Sequence, residues 1–172
     1  MYSFVSVLAL FLVGCGGNTP VDTATCSSGL LYAGSSGVGD GVGDTQPVVD
    51  DGDEGDATMN PGQNCISCHA GNEAPDYTIA GTVMGASGDV DDCLGVSGVV
   101  VTITDADGVV TTLTSNSNGN FYSAVNFAAP YTVELDNGGV TSVMNAAQTD
   151  GNCATCHTDV GAGGAPGRVV AP

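Results

Sequence analysis

Two five-residue segments, Cys65-Ile66-Ser67-Cys68-His69 and Cys153-Ala154-Thr155-Cys156-His157, carry the side chains best able to do chemistry. In each, two thiols sit three residues apart, so one helical turn brings both sulfurs to one side and the next residue projects its imidazole beside them. That is what covalent attachment of a c-type haem requires: the thiols add to the porphyrin vinyl groups and the histidine ligates the iron. The chain has only two histidines, and both fall in this motif. A CxxC redox pair would need a βαβ context that the sequence lacks. Zinc wants four ligands, and nothing completes two separate Cys2His sets. Plain disulfides of a secreted protein are the third competitor. The expectation is therefore two haem c groups, with thioethers at Cys65, Cys68, Cys153 and Cys156 and proximal iron ligands at His69 and His157.

The likeness of the two segments extends past the motif. Met59-Asn60, Asn64-Cys65, Cys68-His69 and Ala74-Pro75 answer to Met144-Asn145, Asn152-Cys153, Cys156-His157 and Ala165-Pro166. The asparagine ahead of each first cysteine is expected to cap a short haem-bearing helix. With both histidines used, a sixth iron ligand must come from elsewhere, and thioether sulfur is the usual alternative. Met59 and Met144 hold matching places in the repeat, whereas Met84 lies within an expected strand, so Met59 and Met144 are the candidate axial ligands. Which methionine serves which haem stays open, a crossed arrangement included.

Charge narrows the partners. There is no lysine, the one cationic side chain is Arg168, and 19 acids give a formal net charge of −18. Nucleic acid is excluded, because a chain that neutralises phosphates carries basic clusters. Redox partner proteins with basic surfaces, or mineral and metal acceptors, fit this charge, and so does simple solubility. Two haems would add four propionates, and a salt bridge to one is the task expected of Arg168.

The elements that must position these groups follow from pattern. Residues 4–13 form an apolar run too short to span a bilayer comfortably, so residues 1–14 read as a signal peptide. Residues 15–58 are rich in Gly, Ser, Asp and Thr, include the run DDGDEGD, and read as a flexible acidic tether. Residues 59–76 and 142–172 are the two haem-binding segments. Between them, residues 77–141 hold β-branched runs broken by turn residues: YTIAGTVM, GVVVTIT, VVTTLT, NFYSAV and PYTVEL. Asp107-Gly108 marks a hairpin turn and SNSNGN over 115–120 a second. Val99, Val101 and Ile103 alternate with Val100, Thr102 and Thr104, which predicts one buried face. The fold class is mainly β: a small antiparallel sandwich flanked by two short CxxCH segments with little helix.

Three resemblances add to this reading. Leu12-Val13-Gly14-Cys15 resembles the lipobox of bacterial lipoproteins, which implies cleavage before Cys15, a lipid on its thiol and a membrane anchor; Gly16 is compatible with sorting to an outer membrane. The runs AGTVMG, GVSGVVVTITDADG and TLTSNSNGNFY resemble carboxypeptidase-regulatory or prealbumin-like sandwiches, which implies a scaffold. The region 59–169 as a whole, carrying MNPGQNCISCH and GNCATCHTDVGAGGAPGR, resembles bacterial dihaem cytochrome c lipoproteins with an inserted β domain. That resemblance implies electron transfer by an exported protein, at the outer membrane, the cell surface or in the periplasm, and not an enzyme. Cys26 and Cys93 are then left over, and an oxidising compartment favours a disulfide between them. The alternatives carried forward are a subunit of a haem-conducting filament, built by self-assembly, and a dihaem peroxidase-like enzyme.

Overall fold

The computed structural model describes residues 26–30, 32, 59–70 and 75–172. The signal-peptide run, the lipobox Cys15 and most of the 15–58 tether lie outside the described residues. What is described is mainly β, with two sheets and almost no helix.

The β-branched runs become strands because alternate side chains can pack on a pleated surface. They are β1 (Ile79–Met84), β2 (Val100–Thr104), β3 (Val110–Thr114), β4 (Asn120–Ser123) and β5 (Thr132–Asn137), followed by β6 (Val140–Val143) and β7 (Val169–Val170). One sheet has the order β4-β1-β7 and the other β3-β2-β5-β6. Their inner faces share one core: Ile79, Val83 and Phe121 from the first sheet meet Val101, Ile103 and Leu135 from the second, with Val99 and Tyr131 completing it. Burying each such aliphatic side chain contributes roughly 1.5–3 kcal/mol. Val101 and Ile103 are buried while Val100, Thr102 and Thr104 are partly exposed, as their alternation predicts.

Both expected turns are present. Asp105 organises the β2–β3 hairpin, its carboxylate accepting from the backbone N–H groups of Asp107, Val109 and Ala128. These bonds hold its carboxyl below the usual range. Gly108 adopts φ 78°, which its missing Cβ permits. In the second turn the Asn116 side chain accepts from the N–H groups of Asn118 and Asn120.

Two strands go beyond the expected five, and one changes the architecture. Strand β6 extends the second sheet as an edge and crosses the expected boundary at residue 141. Strand β7 pairs parallel with β1, so the sandwich is not wholly antiparallel and the second CxxCH segment contributes to a sheet.

Candidate functional site

Both CxxCH segments dock on the same strand. Helix α1 (Cys65–Cys68) carries the first, and a single 3-10 turn (Cys153–Thr155) carries the second; both pack against β1. The first segment is anchored where the Gly62 N–H donates to Thr82 Oγ1 at 2.8 Å. Thr82 in turn donates to Asn120 Oδ1 at 2.6 Å. The second is held by the Ala80 N–H donating to the Gly151 carbonyl at 2.9 Å. Backbones approach so closely there that a Cβ on Gly151 would stand 1.8 Å from the Thr78 carbonyl oxygen. One residue further along β1, a Cβ on Gly81 would meet Cys153 Cβ at 2.8 Å and Sγ at 2.9 Å. Strand β1 therefore leaves a bare patch on which the second motif rests.

The two histidines are held alike. His69 Nδ1 lies 3.1 Å from the Pro75 carbonyl oxygen, and His157 Nδ1 lies 2.9 Å from that of Gly167. A carbonyl can only accept, so each Nδ1 must carry the proton and each Nε2 keeps its lone pair. This gives the Ala-Pro of the sequence repeat a task, since Pro75, and Gly167 directly after Pro166, supply the two acceptors. The rings differ in surroundings. His69 is buried and stacks on Tyr77 with ring centroids 4.2 Å apart, and Tyr77 stacks on Tyr122 at 4.5 Å. His157 is half-buried beside Arg168.

Among the described residues Cys65, Cys153 and Cys156 are free thiols. Cys68 is disulfide-bonded, and a thioether at that position requires the disulfide to open first. Burial pushes the Cys65 thiol up. Cys153 is pushed up to about 12, by burial first and then by the nearby charge of Cys65, so the two motifs sense each other. A tyrosine accompanies each: burial raises the hydroxyl pKa of Tyr77, with a further push from Tyr122 and Cys65, and burial likewise raises Tyr131, with a further push from Cys153.

One sequence expectation needs correction, and two others meet surroundings different from those expected. Asn64 does cap α1, its Oδ1 accepting from the Ser67 N–H at 2.9 Å, but Asn152 makes no such cap; its Nδ2 donates to Thr155 Oγ1 instead. Arg168 was expected to meet a haem propionate. It is buried, and its donors go to the carbonyls of Asp89, Gly62 and His157 and to the Asp91 carboxylate. A guanidinium spent on four protein acceptors has little left for a propionate. The two methionines, equivalent in the repeat, are not equivalent in space. Met59 is exposed, its carbonyl accepting from the Asn120 side chain beside β1. Met144 is half-buried at the end of β6, its N–H donating to the Val133 carbonyl in the neighbouring strand β5. Met84 is fully buried in β1, where it packs as core.

The residue set fits a ligated haem at its histidines and at three of its four thiols. Two buried side-chain oxygens without a partner among the described residues, Asn152 Oδ1 and Thr158 Oγ1, border the second motif on either side. Where Gly62, Gln63, Cys153 and His157 face one another the crevice measures only about 10 Å³, so a porphyrin would cover this surface and not fill a cavity. No group of three His, Cys, Asp or Glu side chains that could hold a bare metal ion occurs among the described residues. The Cys26–Cys93 disulfide is formed, with Cα atoms 5.4 Å apart. No helix among the described residues is long and apolar enough to cross a membrane. Comparison with protein-family models, curated proteins and solved structures finds no match to this chain.

Proposed function

We propose that this chain is an exported, lipid-anchored dihaem c-type cytochrome that carries electrons. The observation that supports the reading is the shared state of His69 and His157: each Nδ1 faces a backbone carbonyl, which leaves the lone pair of each Nε2 available to a ligated iron. Second-shell bonds of this kind fix the tautomer and orientation of a ligating imidazole and raise its basicity. When bound, haem supplies an iron that takes up and releases one electron. The protein's part is to attach and orient it. Cys65, Cys68, Cys153 and Cys156 offer the thiols, the carbonyls of Pro75 and Gly167 hold the rings, and strand β1 keeps the two sites in fixed register. Met59 and Met144 are the proposed sixth ligands, with Met84 committed to the core.

Export and lipidation at Cys15 rest on the sequence alone. The β-sandwich contributes the scaffold, and the net charge of −18 favours a positively charged redox partner or a metal or mineral acceptor.

The test is intact-mass spectrometry with a pyridine haemochrome assay on protein matured in an exporting host able to attach c-type haem. Two added haems per chain are expected. An unmodified mass, or zinc in their place, rejects the proposal. Met59→Ala and Met144→Ala should each remove part of the weak sulfur-to-iron absorption and lower one reduction potential. If Met84→Ala alone does so, the ligand assignment is wrong.

A further inference from the structure

The chain's one cationic side chain, Arg168, is only 6% exposed, although a lone cation is best solvated by water. Its donors reach three separate stretches. Nε donates to the Asp89 carbonyl at 2.8 Å, Nη1 to the Gly62 carbonyl at 2.7 Å and the His157 carbonyl at 3.4 Å, and Nη2 to the Asp91 carboxylate. Asp91 is itself 56% exposed, so this ion pair stands partly in water, and the carbonyls give the guanidinium most of its directional support. The backbone is pinned as well. The Arg168 N–H donates to the Ser87 carbonyl at 2.9 Å. Gly167, one residue back, is pressed so close that a Cβ there would stand 2.4 Å from the same oxygen. Gly167 is also the residue whose carbonyl receives His157 Nδ1–H. His69 has no such arrangement: its ring is steadied by Pro75 and by the stacked Tyr77.

We infer that Arg168 is a positioning residue: it fixes the His157 ring through the Gly167 carbonyl and ties the second motif to the first through the Gly62 carbonyl, making the two sites one rigid unit. The consequence at iron rests on the proposed haem function; the positioning itself is a property of the haem-free chain. A planar fork with donors aimed at three carbonyls does this, and a lysine, with one nitrogen, cannot reach them together.

The experiment uses the haem-free protein labelled with 15N-histidine, with ring tautomers read from long-range proton–nitrogen correlations at a fixed, mildly alkaline pH. In the parent protein both rings are Nδ1–H. Arg168→Lys keeps the charge but not the fork, and should move His157 toward the Nε2–H form intrinsic to free imidazole while His69 stays as it was. Asp91→Asn removes the ion pair but keeps the carbonyl bonds, and should leave both rings unchanged. An unaltered His157 in Arg168→Lys, or equal changes in both rings, overturns the inference. Should Arg168→Lys fail to fold, urea titration of the parent protein still decides: one rigid unit loses both native ring signatures at a shared midpoint, and separate midpoints overturn it. In the loaded protein a Cys65→Ser, Cys68→Ser background isolates the second haem, whose low-spin ferric resonance should broaden or split with Arg168→Lys; the first haem, isolated by Cys153→Ser, Cys156→Ser, should not change. Failure of the haem proposal would appear as an unmodified mass and leave the tautomer result standing.

Discussion

A histidine keeps one nitrogen ready for a ligand only when the other is occupied, and His69 and His157 meet that condition with different neighbours. Burial acts on the thiols of the same motifs, and this gives a pH dependence with a definite sign. The Cys153 thiol ionises near its ordinary value of 9.0 in the unfolded chain but is pushed up to about 12 in the folded one. Between these values the unfolded state holds fewer protons than the folded state, so stability falls as pH rises. The contribution is fully present below pH 9 and is lost progressively toward pH 12. Tyr131 acts in the same sense above its ordinary value of 10.0. Urea midpoints of the haem-free chain, with any disulfide kept intact, should therefore fall through this window. Cys153→Ser should flatten the early part of the fall and leave the tyrosine part. A thioether has no proton to lose, so the loaded protein should resemble Cys153→Ser here. Midpoints independent of pH from 9 to 12 would show that the Cys153 environment is not as dry as its packing against Gly81 implies.

At the level of elements, the asparagines that open the two motifs should separate experimentally. Asn64→Ala removes the bond to the Ser67 N–H and should cost about 1 kcal/mol, the usual worth of an N-cap. Asn152→Ala removes the bond to Thr155 Oγ1 but also a buried oxygen that has no partner among the described residues, so the two effects offset and the net cost in the haem-free chain should be smaller. Chemical denaturation of the two variants checks this, and equal losses would deny the difference. The same contrast measures how far the sequence could be read. The repeat made the two asparagines look alike, but residue spacing cannot show that the first motif winds into α1 while the second, held at Gly151 against β1, closes only a 3-10 turn. Five strands were legible because their β-branched residues alternate or run between turn signals. Strand β6 carries no such mark, because all four of its residues are exposed and so lack an apolar rhythm, although Asn137-Gly138 ahead of it is a hairpin signal. Strand β7 is two valines whose only cue is the distant strand they join. The motif cysteines and histidines were plain from spacing; the Arg168 clamp was not, because three of its four partners are backbone carbonyls, which a sequence does not display.

Over the whole molecule one sandwich core is combined with a formal net charge of −18, and the Cys26–Cys93 disulfide ties an N-terminal arm to the loop after β1. Residues 26–30 and 32 lie along the loop that follows β1. The Ser27 N–H and hydroxyl donate to the Asp89 carboxylate, the Leu94 N–H to the Leu30 carbonyl, and the Tyr32 N–H to the Asp92 carbonyl. Asp89 also accepts from the Ala86 N–H, and the Arg168 Nε–H bonds its carbonyl, so the arm, the loop and the clamp form one connected patch. The disulfide spans 67 residues of sequence. Closing a loop of that length in the unfolded chain should contribute roughly 2–4 kcal/mol. Replacing both cysteines with serine should therefore lower the unfolding free energy by about that amount. The loss should be most visible at low ionic strength, where a net charge of −18 most strongly favours an expanded chain. Urea denaturation in ~0.01 M and ~0.5 M salt separates the two contributions. The disulfide term should persist at both salts, and the charge term should shrink in the saltier buffer for parent and variant alike. If the double serine variant matches the parent at both salts, the arm is held by its hydrogen bonds alone and the cross-link adds nothing to the folded state.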